Sequence, residues 1–159
     1  MMMQIAAATG SPMPPAGTMK GTDAAFSTET VTTILVADDN RDAVDVVAKL
    51  LEASGYGVVR AYSVRQALDL LDERKEVNLV LSDIRMPDGS GEDFYLAAVL
   101  DQPGLARRFV FMTGDTANPA PWQFVEEVQA PVLEKPFTAD HLFAALERVS
   151  VLTSRAPIE

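Results

Sequence analysis

The chain has 159 residues, 48% of them hydrophobic and 23% charged, which suits one globular domain with a substantial core. Thirteen Lys and Arg against 23 Asp and Glu give a net charge of −10, which argues against nucleic-acid binding through a basic face and against electrostatic binding to an anionic membrane. The absence of Cys and the single His exclude disulfides, Cys nucleophiles, thiolate metal sites and a His-rich metal site.

Residues 1–30 differ from the rest of the chain because they are interrupted by Pro and show neither helical nor strand periodicity. We predict a flexible N-terminal tail there, a folded domain over 31–152 and a short C-terminal tail over 153–159. A signal peptide is not expected, since no Lys or Arg precedes the short apolar patch at 5–8. The expected location is therefore the cytoplasm.

Short apolar, β-branched runs alternate with helical segments from about residue 32 onward. In chain order the predicted elements are strand Thr33–Ala37, a helix opened by Asp38-Asp39-Asn40, strand Val58–Tyr62, a helix after Ser63, strand Asn78–Ser82, helix Glu92–Leu100, strand Arg108–Thr113, a short helix over Pro119–Gln129, strand Pro131–Glu134 and a helix after Thr138. Gly55 ends the first helix. Ser63 and Gln66 have the spacing of a capping box, and Thr138 is a suitable cap for the last helix.

Five strands that alternate with five helices indicate an α/β fold with a parallel sheet and helices on both faces. Right-handed crossovers leave few topologies open. Among them we predict a flavodoxin-like (βα)5 three-layer sandwich whose five strands follow the order 2-1-3-4-5.

Polar side chains leave the carboxyl ends of four predicted strands: Asp38 and Asp39, Asp83, Thr113 and Lys135. In a parallel sheet these ends line one crevice, so the side chains should converge. Three close carboxylates repel one another unless they take up protons or bind a cation, and oxygen ligands favour Mg²⁺. A Lys, a hydroxyl donor and a carboxylate nucleophile suit phosphoryl transfer.

Each residue also has a simpler interpretation. The Asp38-Asp39-Asn40 segment could cap a helix, Asp83 could be a turn residue, and Lys135 could be a solvated surface residue. Their joint placement at matching strand ends favours a site.

The sequence here resembles the receiver domain of two-component response regulators over about residues 32–151. The matching motifs are the Asp38-Asp39 pair, the segment Asp83-Ile84-Arg85-Met86-Pro87-Asp88-Gly89, Thr113-Gly114, and Lys135-Pro136-Phe137. All four occur in order at the expected strand ends. The segment 132–137 looks especially like receivers associated with hybrid histidine kinases.

The resemblance implies a role for each matched residue. Asp83 would accept a phosphoryl group, Asp39 would bind Mg²⁺ directly and Asp38 largely through water. The backbone carbonyl of Arg85 would be a further metal ligand. Thr113 would bond the phosphoryl group and Lys135 would pair with it. The Lys135-Pro136 peptide would be cis.

The same resemblance implies partners rather than a substrate. The phosphoryl donor would be a sensor histidine kinase or a histidine phosphotransfer protein, and the output would be contact with a downstream protein. A homodimer through the face formed by helix 4, strand 5 and helix 5 is a further expectation. The domain would be a phosphoacceptor switch rather than an enzyme.

Three departures from the family pattern stand out. Val132 occupies the position, three residues before Lys135, where many receivers have an aromatic switch residue. Arg85 and Asp115 each lie two residues after a site residue, and we hypothesise that they form an ion pair over the site. The fourth helix is predicted to be short.

Two alternatives remain open. A small phosphatase with an aspartyl nucleophile, of the haloacid-dehalogenase type, needs Asp-x-Asp after the first strand, whereas Asp38 and Asp39 are adjacent. A receiver excised from a hybrid histidine kinase would have the same sequence features as a stand-alone receiver.

Overall fold

The computed structural model describes residues 31–114 and 120–155, with the backbone alone for 120–122 and 151–155. The predicted N-terminal tail, Asp115 and residues 156–159 lie outside this described part.

Five parallel strands form the central sheet. They are β1 (Thr33–Ala37), β2 (Gly57–Ala61), β3 (Val77–Asp83), β4 (Phe109–Thr113) and β5 (Val132–Glu134). Their order across the sheet is β2-β1-β3-β4-β5, and each neighbouring pair is parallel. The predicted strand order is therefore confirmed.

Five α-helices connect the strands and follow the last one. They are α1 (Arg41–Ala53), α2 (Val64–Glu73), α3 (Gly91–Asp101), α4 (Ala120–Val128) and α5 (Ala139–Arg155), and a 3₁₀ helix (Pro103–Arg107) precedes β4. α4 has 9 residues, so the prediction of a short fourth helix is correct. α5 continues to Arg155, three residues beyond the predicted end of the domain.

Alternate residues of β1 face two separate cores, as the period of two in a strand requires. Ile34 and Val36 pack with the apolar faces of α1 and α5. Leu35 and Ala37 pack with those of α2, α3 and α4. The predicted three-layer sandwich is thus confirmed, with two helices on one face of the sheet and three on the other.

The two cores differ in composition. On the three-helix side, rings pack edge to face, tilted or stacked with centroids 5.0–6.3 Å apart, in a cluster of Phe94, Tyr95, Phe109, Phe111 and Phe124. The two-helix side is built mainly from Val, Leu and Ile side chains. The two cores cover opposite faces of the sheet and hold its strands in place.

Several strand boundaries differ from the prediction by one residue. β2 begins at Gly57, which pairs in register with Thr33, and it ends at Ala61 instead of Tyr62. The Tyr62 N–H donates instead to Gln66 Oε1 at 2.8 Å. β3 extends to Asp83, one residue beyond the predicted end, because Asp83 pairs with Met112 of β4. β4 begins one residue later than predicted, at Phe109.

The predicted capping box at α2 is only half present. Ser63 Oγ accepts the Gln66 N–H at 3.0 Å, but the Gln66 side-chain oxygen accepts the N–H of Tyr62 rather than that of Ser63. A complete capping box, which the sequence did not reveal, joins Ser90 and Asp93 at the start of α3. Thr138 accepts the His141 N–H at 3.1 Å, so the predicted cap of α5 is confirmed.

Two short antiparallel strands, Arg85–Met86 and Gly89–Ser90, follow β3 and lead into α3. Residues 85–90 are called the Arg85 hairpin below. Within the described residues, no helix combines the length and apolar character required to span a bilayer.

Candidate functional site

The five predicted site residues meet at the carboxyl edge of the sheet. Asp38 and Asp39 follow β1, Asp83 ends β3, Thr113 ends β4 and Lys135 follows β5. β1, β3, β4 and β5 are consecutive neighbours in the sheet, so their ends form a single row.

Three carboxylates form the centre of the site. One oxygen from each of Asp38, Asp39 and Asp83 lies within 4.8 Å of the other two. Lys135 Nζ lies 2.7 Å from Asp38 Oδ2 and 3.2 Å from Asp83 Oδ2. The ammonium group therefore bridges two of the three carboxylates and offsets part of their charge.

Asp38 is held almost entirely away from solvent, with 2% of its surface exposed. Its N–H donates to Ala61 O of β2 at 3.1 Å, and its Oδ1 accepts the Asn40 N–H at 3.0 Å. Asn40 Oδ1 in turn accepts the Ala43 N–H at 3.1 Å and caps α1. The helix-cap interpretation thus holds for Asn40, whereas Asp38 belongs to the site and Asp39 is exposed beside it.

Asp83 is fixed through its backbone by bonds on both sides of the chain. Ser82 Oγ, fully buried, donates to Asp83 O at 2.9 Å, and the next N–H, of Ile84, donates to Met112 O at 2.9 Å. The Arg85 N–H lies 3.4 Å from Asp83 Oδ1 and approaches the carboxylate itself. The side chain of Asp83 is 13% exposed, so one face of the carboxylate remains accessible.

Gly91, which was not predicted as a site residue, packs against the backbone of Asp83. A Cβ atom at this position would lie 3.0 Å from Asp83 O and 3.0 Å from Ile84 Cα, too close for any other amino acid without backbone movement. Its place in a glycine-rich turn after the acidic strand end was the available signal, but that signal did not distinguish close approach from turn formation.

Lys135 is positioned by the sheet. Its N–H donates to Thr113 O at 2.8 Å, and the Lys135-Pro136 peptide is cis, as the resemblance implies. The side chain is 28% exposed and reaches across β4 to Asp83 and Asp38. Thr113 is buried at the end of β4, adjacent to this lysine.

Burial and charge set the protonation of the site. Burial raises the pKa of Asp83 to about 6, with a further rise from the Asp38 charge, and Lys135 opposes the shift only in part. Burial also acts to raise the pKa of Asp38, but the hydrogen bonds from Lys135 and from the Asn40 N–H outweigh it and lower that pKa. Burial acts to lower the pKa of Lys135, and the two carboxylates reverse this and raise it.

The two remaining predictions concern Val132 and Asp115. Val132 of β5 pairs with Phe111 of β4 and is half-buried against the core on the three-helix side. Asp115 lies outside the described residues, so the ion pair with Arg85 stays a prediction.

The donor set fits a small divalent cation. The three carboxylates supply only oxygen ligands, and Mg²⁺ prefers oxygen ligands and is usually held by one or two carboxylates together with water. The approach of three such oxygens to within 4.8 Å of one another matches this chemistry.

Comparison with known proteins identifies the family. Residues 34–147 match the response regulator receiver domain. The tetrathionate response regulatory protein TtrR of Salmonella typhimurium is 32% identical over 126 residues, which cover 78% of this chain and 59% of that protein. The transcriptional regulatory protein CpxR of Escherichia coli K12 is 42% identical over 60 residues, or 38% of this chain. The match spans only 25% of the length of CpxR.

Solved structures agree with this result. A CheY-like response regulator receiver domain protein from Methanospirillum hungatei has a TM-score of 0.72 at 25% identity, covering 80% of this chain and 99% of that one. The chemotaxis response regulator CheY4 of Vibrio cholerae has a TM-score of 0.66 at 29% identity, covering 76% and 99%. With the family match over most of the folded part and the acidic strand ends in place, the chain belongs to the response regulator receiver domain family.

Proposed function

We propose that this domain is a phosphoacceptor switch in a two-component phosphorelay and that Asp83 accepts the phosphoryl group. The observation that carries the proposal is the convergence of Asp83 with a second carboxylate, Asp38, and with Lys135 at 3.2 Å. This arrangement combines a nucleophile, a set of cation ligands and a phosphate-binding cation.

Asp83 is the best placed of the three carboxylates to act as nucleophile. It lies at the end of β3, between β1 and β4, so residues from both neighbouring strands flank it. In the transfer, an Asp83 Oδ atom would bond to phosphorus as the bond from phosphorus to the donor imidazole nitrogen breaks. The electron pair would stay on that nitrogen.

Asp38, Asp39, Asp83 and the backbone carbonyl of Arg85 would hold Mg²⁺. When bound, the ion would neutralise charge on the phosphoryl oxygens. Because Lys135 already contacts Asp38 and Asp83, it would move from a carboxylate partner to a phosphoryl oxygen. Thr113, buried one strand away, would offer its hydroxyl to another phosphoryl oxygen.

The phosphoryl donor would be a histidine in a sensor kinase or a histidine phosphotransfer protein. An apolar groove of about 370 Å³ between α1 and the loop after β5 opens beside Asp38 and Lys135, and its walls include Val47, Leu50 and Phe137. At its rim Val46 is 61% exposed. A partner helix that presents a phosphohistidine would bury these side chains.

This docking mode predicts a selective defect. Val46→Asp places a charge on the rim of the groove without touching the carboxylates, so we expect transfer from a protein donor to slow about tenfold or more. Phosphorylation by acetyl phosphate, which needs no docking surface, should stay within twofold of the wild-type rate. Equal loss with both donors would show that Val46 does not act through docking.

The output would be protein contact. A second surface cavity of about 490 Å³ lies along β5 and α5, bordered by Val132, Glu134, His141 and Arg148. We propose that this edge, with α4, forms the predicted homodimer or downstream-protein face. We further propose that the receiver begins at about residue 31 and ends with α5, and that it works as a switch rather than by turnover of a free substrate.

Intact mass spectrometry tests the proposal. The full chain is incubated with acetyl phosphate, with and without Mg²⁺, beside Asp83→Asn as an isosteric control. We expect a single phosphoryl adduct that requires Mg²⁺ and is absent from the variant. Continuous hydrolysis of a small phosphate ester without a stable adduct would favour the phosphatase alternative instead.

A further inference from the structure

The Arg85 hairpin connects the acidic site to two helices. Its first residue brings a backbone N–H to 3.4 Å from Asp83 Oδ1, and in the proposed function the carbonyl of the same residue is a metal ligand. The orientation of this hairpin therefore decides where the Arg85 carbonyl points. The anchors of the hairpin are consequently part of the chemistry of the site.

The turn of the hairpin is anchored by Asp88. Its Oδ1 accepts the Val64 N–H at 2.8 Å and its Oδ2 accepts the Arg65 N–H at 3.0 Å. These are the first two N–H groups of α2, which have no partner within the helix itself. Ser63 accepts the third N–H, from Gln66, so Asp88 and Ser63 together cap the first three N–H groups of α2.

Close packing accompanies these bonds. A Cβ atom at Gly89 would lie 3.3 Å from Val64 Cγ2, so the turn rests directly on the first residue of α2. The other end of the hairpin is tied to α3 by the capping box of Ser90 and Asp93, and Gly91 N–H donates to Ile84 O. With Asp88 in place, the hairpin is attached to α2 at its turn and to α3 at its end.

We propose that Asp88 is a positioning residue of the phosphorylation site, which fixes the Arg85 backbone for Mg²⁺ binding by fastening the hairpin turn to α2. This inference rests on the proposed function and extends it to a residue outside the group of metal and phosphoryl ligands. The negative charge of Asp88 also suits the positive end of the α2 dipole, and its two backbone hydrogen bonds lower its pKa.

Asp88 would affect Mg²⁺ binding by restricting the conformations of the hairpin, not by contacting the ion. Without Asp88 the turn loses both hydrogen bonds to α2, and the Arg85 carbonyl samples more orientations. Mg²⁺ binding must then restrict the hairpin, and the loss of conformational entropy weakens the affinity. Residues that orient metal ligands without touching the metal typically change affinity by about tenfold or more when removed.

Ser63→Ala provides a matched control for Asp88→Ala. Both substitutions remove side-chain caps from the same helix terminus, but only Asp88 belongs to the hairpin. Mg²⁺ affinity of the full chain would be measured by isothermal titration calorimetry, with the Tm of the metal-free protein recorded alongside. We expect both variants to lower Tm, and Asp88→Ala alone to weaken Mg²⁺ binding about tenfold.

Asp88→Asn keeps one acceptor oxygen and should recover part of the affinity, which also covers the case in which Asp88→Ala does not fold. Amide hydrogen exchange in the metal-free protein gives a readout independent of the ion. Exchange of the N–H groups within residues 85–90 should accelerate in the Asp88 variants and stay at the wild-type rate in Ser63→Ala.

Two results would overturn the inference, and they are distinguishable. Equal Mg²⁺ affinities in wild type, Asp88 variants and Ser63→Ala would make Asp88 a helix cap only, leaving the proposed function intact. A wild-type chain that binds no Mg²⁺ and forms no phosphoryl adduct would remove the proposed function together with this inference.

Discussion

The aromatic core and the acidic edge of the same strands contrast sharply. In β4, Phe109 and Phe111 are buried among other rings, and burial of this apolar surface favours the folded state. At the strand ends, three carboxylates lie close together, one ammonium group contacts two of them, and burial raises the pKa of Asp83. The first region stabilises the domain, whereas the second keeps charges close together at a cost in stability. Removal of an aromatic ring from the core should therefore lower the free energy of unfolding, whereas removal of the Asp83 charge from the edge should raise it.

The largest effect is expected in the core. Phe111→Ala removes a ring that contacts Phe109, Tyr95 and Phe124, and it leaves a cavity at the centre of the cluster. We expect the free energy of unfolding to fall by about 3–5 kcal/mol. Urea denaturation followed by circular dichroism measures this change. A loss below about 1 kcal/mol would show that the cluster is loosely packed and would weaken the contrast.

The edge should respond in the opposite sense at Asp83. Its pKa is raised from 3.8 to about 6 in the folded state, so folding favours the protonated form. The stability that this group contributes is complete below pH 3.8 and is lost as the pH rises through about 6. In metal-free protein at pH 7.5, Asp83→Asn should therefore be more stable than wild type by about 1–3 kcal/mol.

Denaturation of both proteins across the pH range 4–8 checks this expectation. The difference between them should grow from about pH 4 to pH 7 and should diminish when Mg²⁺ is added to the wild-type protein. A variant that is less stable than wild type at every pH would contradict the assignment of Asp83 as a destabilising charge.

Lys135 contacts Asp38 and Asp83, and its positive charge reduces the repulsion between these carboxylates. Its raised pKa means that its stabilising charge is present throughout the neutral range and is lost only as the pH rises above its ordinary titration range. Lys135→Met leaves Asp38 and Asp83 facing each other, and we expect the metal-free protein to lose about 1–3 kcal/mol of stability at pH 7.5.

Addition of Mg²⁺ to Lys135→Met distinguishes repulsion between the carboxylates from a simple loss of packing as the cause of the destabilisation. With one positive charge removed, the variant should bind Mg²⁺ at least as tightly as wild type and should regain most of its lost stability on metal addition. Loss of stability that Mg²⁺ does not restore would place the effect of Lys135 in its aliphatic stem rather than in its charge.

The two regions were also unequally predictable. The alternation of elements predicted a parallel sheet and left few strand orders open, among which the predicted order is the observed one. The convergence of Asp38, Asp83 and Lys135 followed from their positions at strand ends. These inferences need only local pattern and the geometry of a parallel sheet. Ser82, Asp88 and Gly91 were not recognised, because their roles depend on contacts with backbone atoms that a periodic pattern does not encode.

The role of Asp88 could not be predicted from the local sequence. This residue meets the Val64 and Arg65 N–H groups 24 and 23 residues earlier in the chain, and nothing in the local sequence distinguishes it from an ordinary turn residue. The one-residue error in β2 has a similar origin. Tyr62 has strand propensity, but its N–H donates to Gln66 instead of extending the sheet.

Site-specific trapping tests whether Asp83 carries the phosphoryl group. The chain is treated with acetyl phosphate and Mg²⁺, reduced with borohydride to convert an acyl phosphate to homoserine, digested and analysed by tandem mass spectrometry. We expect homoserine at position 83 and unmodified aspartate at positions 38 and 39. Homoserine at either of those two positions, with residue 83 unchanged, would contradict this expectation.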